Sequence, residues 1–268
     1  MPWIKAMDGT SLFYSEWGRG KPLLFLSSLG CSHDMWQYQF AALAQAGYRC
    51  IGFDRRGHGR SDRPSHGYDY DTLADDVAAL VAHLDLRDLG LIAHSMAGGE
   101  VVRYVSRHGG ARVERIVLLA PTTPRLLGDD GVAARAVRAN FEALWAQWMR
   151  DYPRWVEESL APFFVPETSR PMMRWAAGLL QASVPVAIAC SRAMLEADLT
   201  QEMRSLEIPC LLIHGDRDRS VPVEVAGAPS AALLPDCRFL VYEGAPHGLM
   251  FTHMDRLHAD MLQFLADE

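Results

Sequence analysis

The chain lacks most of what would set it apart from an ordinary globular domain. None of its apolar runs approaches the length that spans a bilayer, so no membrane-spanning helix is expected. The segment Met1 to Asp8 holds no extended apolar core, so no secretory leader is expected. Basic runs and basic–aromatic stripes are missing, and 26 Lys and Arg against 33 Asp and Glu leave a net charge of −7. A surface of that sign repels phosphate backbones, so nucleic acid is not an expected partner. Five cysteines (Cys31, Cys50, Cys190, Cys210, Cys237) are scattered, odd in number and without CxxC spacing. They read as reduced thiols of a cytoplasmic protein rather than a disulfide frame or a metal site. Internal repeats and low-complexity tracts are absent too.

What is present is an apolar fraction of 49% with 22% charged residues over 268 positions, enough for one large domain with a sizeable core. An Asp8-Gly9 turn joins Trp3–Met7 to Leu12–Trp17 as a first hairpin. Short apolar runs then alternate with helical patterns: Leu23–Ser27, Arg49–Phe53, Leu89–Ala93, Ile116–Leu119, Leu211–Ile213 and Phe239–Tyr242. That alternation predicts an α/β fold, a mostly parallel eight-stranded sheet with helices on both faces. Thr122 to Leu206 breaks the pattern. It shows no convincing strand and is rich in Trp, Met and Phe, so it is expected to be a helical cap inserted after strand 6. The expected division is a core of residues 1–121 and 207–268 with a cap of residues 122–206. Pro185 is expected to kink or restart a helix.

The densest chemical signal is Leu91-Ile92-Ala93-His94-Ser95-Met96-Ala97-Gly98-Gly99, an apolar strand running straight into a serine and then a helix. A serine on such a turn projects its hydroxyl above the sheet edge and demands small residues two places before and after; here both are alanine, Ala93 and Ala97. A hydroxyl needs a base, and the base a group that fixes its tautomer. The strand Pro209–Ile213 runs into a loop bearing Asp218, and the strand ending at Tyr242 runs into His247. Ser95, Asp218 and His247 are therefore the expected catalytic residues, each past the C-terminal end of a strand, where open α/β sheets bind ligands. Acyl transfer also needs donors for the developing oxyanion. Backbone N–H groups of Met96 and Leu29 are the candidates, with Ser28 or Gly30 as alternatives to Leu29.

Other residues draw weaker readings. Asp54-Arg55-Arg56-Gly57-His58-Gly59-Arg60-Ser61-Asp62 does not match GxGxxG, so it reads as a structural loop with special glycine backbone angles and a packed His58. His94 should point away from the hydroxyl of Ser95. His214, Asp216 and Asp218 lack a downstream ligand, and no metal or organic cofactor is expected. Substrate-pocket candidates are Ser28, Cys31, Trp145, Trp148, Phe164 and Cys190; most cap aromatics are expected only to pack the cap helices together.

Taken together, the segments 54–62, Tyr70–Asp76, Ser95–Glu100, Arg103-Tyr104, Ile213–Asp216 and Ala245–Gly248 resemble the cofactor-free bacterial haloperoxidases and aryl esterases of the α/β-hydrolase fold. The resemblance implies a serine esterase, in some members one that also makes peracids from peroxide and a carboxylic acid, and a homo-oligomer such as a trimer or hexamer. Two departures bear on activity. Where that family has His-Gly and often tryptophan, this chain has Ser27-Ser28-Leu29, similar to the Asn-Ser-Leu-Gly of 3-oxoadipate enol-lactonases, and leucine there would open the acyl pocket. Strong perhydrolases tend to carry proline at the next position, where this chain has Gly30.

The expectation is thus a hydrolase of small carboxylic esters or lactones working through an acyl-enzyme, with activity rising between about pH 6 and 8 as the histidine base loses its proton. A perhydrolase or a carbon–carbon bond hydrolase would use the same triad. A non-catalytic ligand-binding protein on this scaffold would often lack a triad member. A haloalkane dehalogenase or epoxide hydrolase would need aspartate at position 95.

Overall fold

The structure is a computed structural model that describes residues 2–128 and 131–267; Met1, Asp129, Asp130 and Glu268, which fall within the segments expected above, lie outside the described residues. Eight strands form one sheet in the order β1-β2-β4-β3-β5-β6-β7-β8. They are β1 (Trp3–Lys5), β2 (Ser11–Gly18), β3 (Lys21–Leu26), β4 (Tyr48–Phe53), β5 (Leu89–His94), β6 (Val113–Leu119), β7 (Cys210–Gly215) and β8 (Cys237–Tyr242). β1 and β2 pair antiparallel, as the Asp8-Gly9 hairpin requires, and every pairing from β4 to β8 is parallel.

Parallel strands buried on both faces read as continuous apolar runs whose alternate residues feed two cores. Leu24, Leu26, Leu91, Ala93, Ile116, Leu118 and Leu212 pack on one face against α2 (Tyr70–His83) and α3 (Ala97–His108). Leu23, Phe25, Ile92, Val117, Leu119, Leu211 and Ile213 pack on the other against α1 (Gln37–Gln45) and the C-terminal helix. The N-terminus of α2 is capped by Asp69, whose carboxylate accepts from the Thr72 N–H.

Between β6 and β7 the chain leaves the sheet and forms α4 (Val132–Phe163), α5 (Arg170–Gly178), α6 (Val184–Glu196) and α7 (Thr200–Arg204). α4 is two helical stretches meeting at Asp151, whose φ of −158° is non-helical and whose carboxylate accepts the Arg154 N–H. Of the two outcomes expected of Pro185, the structure shows the restart: a new helix begins at Val184. The proline stands in the first turn of α6, where a missing N–H removes no helical bond. α8 (Gly227–Leu233) follows β7. The chain ends in two helices, α9 (Leu249–Thr252) and α10 (Met254–Ala266), separated at His253, whose φ of −125° leaves the helical range.

Candidate active site

Ser95 follows β5 directly and stands at φ 59°, a left-handed conformation that costs a non-glycine residue about 1–3 kcal/mol unless its surroundings impose it. The surroundings here do impose it. The Ser95 N–H extends the sheet by donating to Leu119, and its carbonyl accepts from Gly98 and Thr122. Ala93 and Ala97 are fully buried, which is why neither position has room for a larger side chain. Gly99 belongs to the same constraint: a Cβ there would meet the Tyr70 ring at 2.4 Å, and the Tyr70 hydroxyl donates to the Met96 carbonyl at 3.0 Å.

Asp218 and His247 come together from the loops after β7 and β8. His247 Nδ1 lies 2.6 Å from Asp218 Oδ2. The other carboxylate oxygen accepts the N–H groups of Ser220 (2.9 Å) and Val221 (2.8 Å). Burial acts to raise the Asp218 pKa, but His247, the 3.2 Å contact to His214 Nε2 and the Val221 N–H outweigh it and hold the carboxyl well below the usual carboxylate range. An ionised Asp218 makes Nδ1 the protonated nitrogen of His247 and leaves Nε2 as a base. Ser95 and His247 line the same cavity, of about 280 Å³. Among the described residues no hydrogen bond joins the Ser95 hydroxyl to His247; contacts of this type often tighten only when substrate binds.

The loop after β3 distributes its N–H groups unequally. Ser28 donates to Met35 Sδ at 3.3 Å, and Gly30 donates to His58 Nε2 at 3.1 Å. Among the described residues, the Leu29 N–H has no acceptor within the protein, and neither has that of Met96. Of the three loop positions weighed from sequence, the structure thus leaves only Leu29 with a free donor.

Three other buried histidines, His94, His214 and His58, each have a ring nitrogen against a backbone carbonyl. His94 Nε2 lies 3.0 Å from the His247 carbonyl, and burial followed by the nearby His247 pushes its pKa well below the usual range. His214 Nε2 lies 2.8 Å from the Val221 carbonyl, and Asp216 accepts the Gly244 N–H. His58 is fully buried; its Nδ1 lies 2.9 Å from the Arg56 carbonyl, and burial followed by Arg55 lowers its pKa to about 3. In the same loop, Gly57 and Gly59 have φ of 78° and 47°, the special angles expected of them.

Of the pocket candidates, Ser28, Cys31, Trp148 and Phe164 line the cavity, and Trp145 and Cys190 do not. Trp145 is turned away because its indole N–H donates to Ser191 Oγ at 2.9 Å while Arg192 stacks on its ring. Cys190 packs behind the wall with Tyr68, Tyr70 and Met96, and burial pushes its thiol up to about 12. Burial pushes the Cys31 thiol up to about 12 as well, so it faces the cavity as a small neutral group. Sequence reasoning did not place Phe141, Leu144, Trp155, Leu160 and Phe163 among the pocket candidates, and they too line the wall. The signal for part of this set was there: Phe141, Leu144 and Trp148 fall at i, i+3 and i+7, one face of α4. A larger hollow of about 510 Å³ opens at the opposite sheet edge between α3 and α7. Its lining holds no histidine, and the strand-end residues are all elsewhere.

Comparison with known proteins agrees with this architecture. Residues 21–254 match the family described as alpha/beta hydrolase fold, and the chain belongs to that family. It is 37% identical to the non-heme chloroperoxidase CPO-A1 of Kitasatospora aureofaciens, over 99% of both chains. It is 31% identical to the bifunctional esterase/perhydrolase DCH of Acinetobacter calcoaceticus, again over 99% of both. Among solved structures, a bromoperoxidase from Bacillus anthracis superposes with a TM-score of 0.92 at 31% identity, covering 99% of this chain and 100% of the other.

Proposed function

We propose that the protein is a serine hydrolase of small carboxylic esters or lactones. The observation that carries this reading is the convergence of a strained, cavity-facing Ser95 with the buried His247–Asp218 pair on the wall of one apolar cavity. In this reading Ser95 Oγ attacks the carbonyl carbon and His247 Nε2 takes its proton. Asp218 stabilises the imidazolium that results, and the N–H groups of Leu29 and Met96 hold the oxyanion. The carbonyl re-forms, His247 returns the proton to the departing alcohol, and water repeats the sequence on the acyl-enzyme. The aromatic and aliphatic wall fits an uncharged acyl or aryl group.

Hydrolysis is favoured over peracid formation by the loop itself. Gly30 sits at φ 82° and donates its N–H to His58, whereas proline is fixed near −65° and has no N–H. The perhydrolase-type proline therefore has no place in this loop as it is built.

Release of p-nitrophenol from p-nitrophenyl acetate by wild type and Ser95→Ala, side by side, tests the reading. Loss of the nucleophile should lower the rate by several orders of magnitude. Equal activity in the two proteins would remove Ser95 from the mechanism.

A further inference from the structure

Arg55, Glu100 and His58 are buried, polar and unused by the triad. Their exposures are 3%, 1% and 0%. Buried charges persist only when paired and hydrogen-bonded, so the arrangement they make is informative. Arg55 Nε donates to Glu100 Oε1 at 2.7 Å, and its Nη2 both pairs with the same carboxylate and donates to the Ser27 carbonyl at 2.6 Å. Glu100 lies in the first turn of α3, the helix that begins just after Met96. The guanidinium therefore ties the head of the nucleophile helix to the loop after β3. His58 holds the same loop three residues further on, at Gly30. With its Nδ1–H directed at the Arg56 carbonyl, only Nε2 is left to accept, and it takes the Gly30 N–H. Gly30 is in turn packed closely: a Cβ there would meet Leu180 at 2.8 Å.

We propose that Arg55, Glu100 and His58 are positioning residues that clamp the loop 27–30 to the head of α3, fixing the separation of the two unpaired N–H groups of Leu29 and Met96. The proposal rests on the serine-hydrolase reading above and adds to it the parts that hold the oxyanion site in shape. The clamp works from both ends. Arg55 fixes the loop's carbonyl side at Ser27. His58 consumes the Gly30 N–H, so the turn cannot rotate to offer Gly30 in place of Leu29. Burial and the Arg55 charge keep His58 neutral and able to accept throughout the neutral range.

The test uses His58→Ala and Glu100→Gln in the full chain, with Ser95→Ala as the control. Three quantities are read: kcat and KM for p-nitrophenyl acetate, the inhibition constant of phenylboronic acid, and the melting temperature. A boronic acid forms a tetrahedral adduct on a serine hydroxyl and so reports on the oxyanion site directly. Misplacing one donor should lower kcat about 10- to 100-fold for His58→Ala and about 10-fold for Glu100→Gln, with KM within about 2-fold. The inhibition constant should rise by the same factors. Glu100→Gln keeps the shape and an acceptor for Arg55, so it decides the matter if His58→Ala does not fold. Folded variants with wild-type kcat and wild-type boronate affinity would overturn the clamp. So would a fall in activity that follows the melting temperature while boronate affinity stays unchanged. Failure of the underlying reading would show elsewhere, as wild-type turnover that survives Ser95→Ala.

Discussion

The C-terminal edge of the sheet and the helical insert between β6 and β7 solve different problems with different materials. At the sheet edge the proposed reacting groups are fixed by directional hydrogen bonds: Ser95 by its bonds to Leu119, Gly98 and Thr122, Asp218 by the N–H groups of Ser220 and Val221, His247 by Asp218, and the loop after β3 by the side chains of Arg55 and His58. The insert contributes walls. In α4 only Trp145 and Trp148 are buried, and its order comes from ring contacts such as Trp148–Trp155 at 4.7 Å and Tyr152–Trp155 at 5.3 Å. Directional bonds place atoms to within a few tenths of an ångström, whereas apolar contacts tolerate repacking. The expected division of labour is that the edge sets the rate of the chemical step and the insert sets which acyl group is accepted.

The largest effect should come from the edge. Asp218→Asn keeps the size of the side chain but presents an amide to His247, favouring the wrong tautomer and leaving the imidazolium without its counter-charge. In the proposed mechanism kcat should fall by roughly 10³- to 10⁴-fold with little change in KM. Steady-state kinetics on p-nitrophenyl acetate measures both. A loss of less than about tenfold would mean that the His247–Asp218 pair is structural and that the comparison assigns the edge too much.

How much of this was legible in the sequence follows the same divide. The hairpin, the strand order of the chemistry and the positions of Ser95, Asp218 and His247 could be read because each depends on a short local pattern: an apolar run, a turn residue, a polar residue at the strand end. The clamp was not read, although one clue existed. Ala97, Glu100, Val101 and Tyr104 share one face of α3, so Glu100 stands among apolar neighbours and calls for a buried partner. Its partner is 45 residues away in sequence, and no local pattern supplies that distance. The pocket was read least well for a related reason. Trp145 and Trp148 are both buried and three residues apart, yet only Trp148 faces the cavity, because Ser191 captures the indole of Trp145.

A smaller effect tests the rigidity of the edge through acid stability. His58 titrates near 3 and His94 well below its usual range, against about 6.5 in an unfolded chain. Below pH 6.5 the unfolded chain binds protons at both positions and the fold does not, so stability falls as the pH falls. His58 contributes a slope of about 1.4 kcal/mol per pH unit, or roughly 2 kcal/mol between pH 6.5 and 5, and His94 adds a loss of the same sign. Above pH 6.5 neither contributes a slope. Urea unfolding at pH 7 and pH 5 should show wild type losing stability towards pH 5, and His58→Asn losing about 2 kcal/mol less. Equal stability at the two pH values would mean that these histidines are protonated within the fold and that the edge is looser than its hydrogen bonds imply.

The smallest effect should come from the insert, and it should change selectivity rather than rate. Leu144 is half-buried on α4, lines the cavity and makes no polar contact. Leu144→Ala removes apolar wall without touching a strand end or a backbone bond. For p-nitrophenyl acetate, whose acyl group is too short to reach far along the wall, kcat should stay within about 3-fold of wild type. A longer acyl chain gains room, and a change of one or two methylenes in an apolar pocket is worth about 1–3 kcal/mol. The ratio of kcat/KM for p-nitrophenyl hexanoate to that for the acetate should therefore rise by about tenfold. A fall in kcat on acetate as deep as that of Asp218→Asn would break the comparison, because it would make α4 part of the machinery that aligns Ser95 and His247. An unchanged ratio would sharpen it differently, assigning acyl selection to the part of the wall that the core supplies, Met35 and Phe251, instead of to the insert.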